Sequence, residues 1–130
     1  MSAKLGIILA GLFGFIGVAA GAFGAHGLRD KVSARDLEIW QTGAQYQQLH
    51  AVALLAVALW ALHARAGGQP TGLHGVAMAL FTAGILIFSG TLYAMTLGGP
   101  RWLGAITPLG GLCLLGAWAT VAILGLRSAR

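Results

Sequence analysis

Four stretches without a single charged side chain, residues 5 to 28, 39 to 64, 66 to 100 and 102 to 126, constrain this chain more than anything else in it. Each exceeds the roughly 20 residues that a helix rising about 1.5 Å per residue needs to cross about 30 Å of hydrocarbon. A soluble domain would carry about 25% charged residues; this chain carries 8%, against 58% hydrophobic. It is therefore read as a membrane protein. In hydrocarbon every backbone group must be paired within the structure, which leaves helices or a closed barrel. Barrel strands alternate apolar and polar over about ten residues, whereas these stretches are apolar on every face. The fold class is accordingly all-α: a four-helix transmembrane bundle in a single domain, with spans at about 5–25, 42–64, 73–97 and 106–126.

The net charge of +5 would suggest nucleic acid in a soluble protein. Here the basic residues flank the spans singly or sit in a mixed-sign loop, as membrane-flanking charges do, so no nucleic-acid partner is expected. Lys4, Arg65, Arg127 and Arg130 fall on the side of the termini, and Arg29, Lys31, Arg35 and Arg101 on the other. The positive-inside rule is thus evenly balanced; the charged first loop is taken as the cytoplasmic one. Lys4 before an apolar run ending in Ala19, Ala20, Gly21 and Ala22 has the outline of a secretory signal. That run is longer than a signal core of about 7 to 15 residues, so it is read as a retained first helix, in a multi-pass protein of the cell (inner) membrane.

Glycines at 14, 17, 21 and 24 repeat at intervals of 3, 4 and 3 residues. Such a stripe lets a neighbouring backbone come close, and Gly14, Gly17, Gly21 and Gly24 are expected to be helix-packing positions, within the monomer or between copies of a homo-oligomer. Ser33 with Asp36 three residues later has the pattern of a capping box and predicts a short interfacial helical segment between the first two spans. Gly67, Gly68 and Pro70 mark one turn, and Gly98, Gly99 and Pro100 another. Pro108 suits the first helical position with Thr107 as N-cap, so Arg101 to Thr107 is expected to be non-helical or kinked.

Threading the spans up and down gathers the polar residues toward one end. The second span contributes Gln41, Thr42, Gln45, Tyr46, Gln48 and His50, with Thr42, Tyr46 and His50 at steps of four; the third contributes Ser89, Thr91 and Tyr93, and the fourth Thr107. His26 closes the first span at the same end. The other half, around 7–12, 51–62, 76–87 and 112–124, has almost no side-chain hydrogen-bonding group. Polar groups in hydrocarbon must pair with one another or surround water or a ligand. The cluster is therefore either interhelical hydrogen bonding or a site, with His26, Gln41, Gln45, Tyr46, His50, Ser89, Thr91, Tyr93 and Thr107 as the candidate ligand- or partner-binding residues. The single Cys113 excludes an internal disulfide, and His63 and His74 flank the opposite turn, so neither a metal site nor a cofactor is expected.

GAFGAHGL at 21–28, WQTGAQYQQLHAVALL at 40–55, FSGTLYAMTLGG at 88–99 and LGAITPLGGLCLLGAW at 103–118 together resemble the domain of unknown function 423 family of small membrane proteins. The resemblance covers nearly the whole chain in order and implies four spans with no assigned chemistry. No acid lies within a span, and no HExxH, serine elbow or phosphate loop occurs, so the chain is not expected to be an enzyme. The expected role is binding within the bilayer, of a partner membrane protein or of an amphipathic molecule such as a lipid or quinone. The alternatives are an oligomeric channel or transporter lined by the second helix, and a membrane enzyme using His50 or His26 as a base.

Overall fold

A computed structural model describes residues 1–128; Arg130, counted above with the terminal charges, lies outside the described residues. Helix α1 spans Ala3–Phe23, with the Ser2 hydroxyl accepting from the Leu5 amide at 3.3 Å as N-cap. It runs on into a wider π turn, Gly24–Leu28. Helix α2 spans Ala34–Ala66 and starts on Ser33, whose hydroxyl accepts from the Asp36 amide at 3.1 Å. Its 33 residues extend for about 50 Å, well beyond the hydrocarbon thickness. The helical segment expected between the first two spans is thus the N-terminal end of α2 itself, continuous with the span. Helix α3 covers Gly72–Thr96 and α4 covers Thr107–Ser128. Both intervening turns use a glycine in the left-handed region, Gly68 at φ 72° and Gly98 at φ 97°, which side-chain-bearing residues rarely adopt.

The stretch before α4, expected to be non-helical or kinked, does break the α register, but as a turn of 3-10 helix over Arg101–Ala105. Proline at 108 has no amide to donate and its ring crowds the carbonyl four residues back, so the α register cannot be carried through and the tighter register precedes it. Thr107 is the first residue of α4, and its hydroxyl donates back to the Leu103 carbonyl at 3.1 Å instead of capping the helix.

All four helices are long and apolar enough to cross a membrane, and large apolar side chains such as Phe15, 77% exposed, cover their outer faces. The helices pack chiefly in sequence, α1 on α2, α2 on α3 and α3 on α4, and among the described residues α4 has no extensive contact with α1. Trp40, Gln47, Gln48 and Ala58 of α2 meet α1, with Gly6 of α1 lying over Ala58, and Ala44 and Ala51 are buried in the same two clusters as α1 residues. Gly43 turns toward α3, and His50, further round, meets Trp118 of α4. The outer helices α1 and α4 therefore lie on opposite sides of the central α2–α3 pair. Instead of one axis the bundle has two three-helix junctions, α1/α2/α3 and α2/α3/α4.

Small residues set the closeness of these contacts. The α1 seam runs through Gly6, Ala10, Phe13, Gly17, Ala20 and Gly24, an alternation of four and three residues that keeps one stripe on the partner. A methyl group on Gly17 would lie 2.9 Å from Cγ of Gln48, and one on Gly24 2.7 Å from the Trp40 ring. Gly21 is at the edge of the same seam, whereas a methyl group at Gly14 would meet nothing within 4 Å. Gly14 thus takes no part in the packing of α1 on α2 within the chain: three steps before Gly17, it falls outside the stripe that continues through Phe13.

Candidate functional site

The polar residues expected to share one site do not form one: Ser89, Thr91, Tyr93 and Thr107 bond between helices in separate seams, and the others lie outside those bonds. On the α1 side, three α2 side chains donate to α1 backbone carbonyls: Trp40 Nε1 to Ala20 at 2.8 Å, Gln47 Nε2 to Phe13 at 2.9 Å and Gln48 Nε2 to Gly17 at 2.8 Å. The Ala20 carbonyl already accepts from the Gly24 amide, so the indole uses its second lone pair. Tyr93 of α3 donates its hydroxyl to Oε1 of Gln47 at 2.8 Å and lies against Trp40 with ring centroids 4.6 Å apart. One glutamine thereby ties α1, α2 and α3 together. Across the α2–α3 seam Ser89, 1% exposed, donates to the Gly43 carbonyl at 2.7 Å. Between α3 and α4 the hydroxyls of Thr91 and Thr107 are 2.7 Å apart; with the Thr107 proton directed to Leu103, Thr91 donates to Thr107 in place of the Ile87 carbonyl, which lies equally close at 2.7 Å.

Three of the expected site residues are not brought in. Gln41 and Gln45 are exposed, and His26 is exposed on the π turn. The cause is helical phase. With α1 against the 40/44/47/48 face and α3 against 43/47/50, position 45 faces away from both neighbours and position 41 lies at the outer edge of the α1 contact. Counting about 20 residues back from Arg65 also puts Gln45 at the edge of the hydrocarbon and Gln41 beyond it, where an outward amide meets water. The supposed stripe of Thr42, Tyr46 and His50 drifts for the same reason, since each step of four overshoots a full turn by about 40°. Thr42 is exposed, Tyr46 is 43% exposed at the rim, and only His50 is buried.

His50 faces the α2/α3/α4 junction. Its Nδ1 is 2.6 Å from the Tyr46 carbonyl, and its ring lies near those of Phe81 and Trp118, with centroids 5.9 and 6.1 Å away. Phe81 and Trp118 meet edge to face at 5.2 Å, and Tyr46 stacks on Phe88 at 4.5 Å. These aromatic groups fill the middle of the junction. A small cavity of about 260 Å³ lies toward the first loop, between Arg35, Glu38, Ile39, Thr42, Phe88 and Leu92.

A larger cavity, about 730 Å³, lies at the opposite end of the same junction, beside the half of the molecule read as apolar. Its walls include Trp60 and His63 from α2, Gln69 from the turn, His74 from α3, and Leu124 and Arg127 from α4. His74 is 4% exposed, both ring nitrogens are sealed from solvent, and neither has a hydrogen-bond partner among the described residues. Trp60 lies edge to face against the imidazole, with centroids 5.0 Å apart and planes at 89°. A buried polar group left unpaired costs about 1–3 kcal/mol, so this imidazole stands out from the satisfied groups of the other end. Among the described residues no three His, Cys, Asp or Glu side chains come together as a metal site would require.

Sequence reasoning missed Gln47 and the cavity, for different reasons. Gln47 follows Trp40 by seven residues, on the stripe of small residues Ala44 and Ala51, and a lone amide within such a seam is a legible sign of an interhelical bond. The cavity has no comparable sign, because it exists only where the ends of α2 and α4 stand apart over the start of α3.

Four hydrophobic helices, interhelical hydrogen bonds to backbone carbonyls and an outer surface of large apolar side chains define a small multi-pass membrane protein. A family model described as "Protein of unknown function (DUF423)" matches residues 20–111, and the chain belongs to that family. It is 38% identical over 126 residues to the UPF0382 membrane protein YwdK of Bacillus subtilis, covering 95% of this chain and 98% of that one. It is 40% identical over 116 residues to a UPF0382 membrane protein of Haemophilus influenzae, covering 89% of each. It is 35% identical over 131 residues to the UPF0382 inner membrane protein YgdD of Escherichia coli, covering 100% of this chain and 95% of that protein. No solved structure matches the chain.

Proposed function

We propose that this protein is a non-enzymatic binding protein of the bilayer, which holds the head group of an amphipathic molecule in the cavity between Trp60, His74 and Leu124. The observation that carries this reading is the unpaired imidazole of His74 in the wall of a space of about 730 Å³. Ligand cavities commonly measure about 300–1,000 Å³ and combine apolar walls with a few polar groups. Here Trp60 and Leu124 supply the apolar part, while His63, Gln69, His74 and Arg127 supply the polar part. The location supports an amphipathic ligand over a soluble one: α2 and α4 end here, so a head group can sit at the interface with its tail along the apolar helices.

This moves the proposed site away from the Tyr93 end, where direct side-chain pairing supports a structural role. The test is the lipid and quinone content of protein purified in gentle detergent, measured by mass spectrometry of the intact complex. Ala64 lines the cavity, and an Ala64→Trp variant would occupy it without removing a polar group. The expected result is a specific co-purifying molecule whose occupancy falls in that variant; equal occupancy in a variant that keeps its helical content would sink the reading.

A further inference from the structure

We infer that the cavity at the start of α3 selects an anionic head group bearing a phosphoryl-type oxyanion, an inference that rests on the binding role just proposed and assigns its ligand class. Every ionisable side chain in the cavity wall is a cation or a neutral donor: Arg127, His63 and His74, with no carboxylate among the lining residues. Helix α3 begins in this wall, at Gly72, and its capping residue Thr71 makes no side-chain bond to the first turn. The amides of Gly72, Leu73 and His74 precede the first intrahelical bond, donated by Gly75 to Thr71, and so carry the partial positive charge of a helix start.

A helix start alone would not make a site. The independent observation is His74, buried in the same wall with two unpartnered nitrogens. His74 is itself one of the lining residues, so an oxyanion held in the cavity is a group that can meet the hydrogen-bonding need of its imidazole. Such an oxyanion accepts from the imidazole, from the helix start and from the Arg127 guanidinium, which pairs with phosphate through two parallel bonds. A neutral quinone would offer two carbonyl oxygens and leave the guanidinium without a counter-charge, so the wall chemistry favours the anion. The oxyanion can belong to a lipid head group or to free phosphate, and the two are separated as follows.

The full chain is reconstituted in nanodiscs of phosphatidylcholine containing a minor fraction of phosphatidylglycerol, and retained lipids are counted by mass spectrometry of the intact complex. In a parallel arm, protein in neutral detergent is titrated with inorganic phosphate and its melting temperature is followed. The expected result is at least about tenfold enrichment of phosphatidylglycerol over phosphatidylcholine, or a saturable stabilisation by phosphate, with either signal reduced about tenfold in Arg127→Gln. His74→Phe, which keeps an aromatic ring against Trp60, is expected to weaken the same signal. Arg65 lies at the same membrane face and is not in the cavity wall, so Arg65→Gln should leave it unchanged; an equal loss there would overturn the site in favour of general surface charge. Bound lipid with no anionic preference and no response to phosphate would overturn the anion assignment while the binding role stands. Absence of any retained lipid and of any phosphate effect would overturn both.

Discussion

Gln47 concentrates the logic of the fold in one side chain. In a bilayer the tails are as apolar as leucine, so helices are held by close packing and by hydrogen bonds rather than by expulsion of water. Gln47 spends its amide on the Phe13 carbonyl and its oxygen on the Tyr93 hydroxyl, joining three helices. Interhelical bonds of this kind average about 0.6 kcal/mol, so Gln47→Leu is expected to destabilise by about 1 kcal/mol. A double-mutant cycle with Tyr93→Phe, followed by unfolding in mixed micelles, should return a coupling near that average; zero coupling would mean the hydroxyl finds another partner. Glycines give a sharper contrast. A methyl group at Gly110 would press on the Phe88 backbone, with its Cα only 2.8 Å away, whereas one at Gly14 enters open space. Gly110→Ala should therefore cost about 1–3 kcal/mol through overpacking, and Gly14→Ala should leave the melting temperature nearly unchanged.

The boundaries of the elements are set by a few local devices whose strengths differ. Ser33 starts α2 by accepting from the Asp36 amide, a contact of the kind worth about 1 kcal/mol. Ser33→Ala is expected to speed hydrogen exchange of the Asp36 amide by about fivefold, since about 1 kcal/mol corresponds to that factor, and to leave the centre of α2 unaffected. The ion pair between Arg101 and Asp36 ties the same end of α2 to the 3-10 turn before α4, at 3.5 Å with Arg101 70% exposed. An exposed pair contributes little, so Arg101→Gln should change the stability by less than about 0.5 kcal/mol. A loss of several kcal/mol would show that the surrounding membrane interface strengthens the pair. Pro108 acts at longer range, by fixing where α4 can begin and so bringing Thr107 beside Thr91.

For the whole molecule, the decisive feature is that the outer helices lie on opposite faces of the α2–α3 pair. A closed bundle would direct its polar side chains at one axis; this arrangement gives them two junctions, one hydrogen-bonded and one filled by His50, Phe81 and Trp118 before it opens into the cavity. Four crossings also put the start of α1, the end of α4, the 67–71 turn and the cavity on one side of the membrane. In a Cys113→Ser background, single cysteines at Ser2 and Gln69 should react with an impermeant maleimide from one side of sealed vesicles, and cysteines at Asp30 and Gly99 from the other. Reaction of all four from the same side would refute the four-span topology.

The crossings themselves were legible because length and the absence of charge act through the solvent, without reference to any partner: an uncharged stretch of over 20 residues has few places to go but across the bilayer. The caps and turns at Ser33, Gly68 and Gly98 were legible for a similar reason, since they depend on neighbours a few residues away. Which face of each helix meets which neighbour was not. Gln41, Gln45 and Gly14 fit a pattern of spacing yet point outward, while Gln47 and Gly6 lie in the seams, and the difference is a rotation of about 100° per residue that only the placement of α1 and α3 around α2 resolves. The cavity is still further from the sequence, because an empty space is a property of elements that stand apart, and no single residue encodes it.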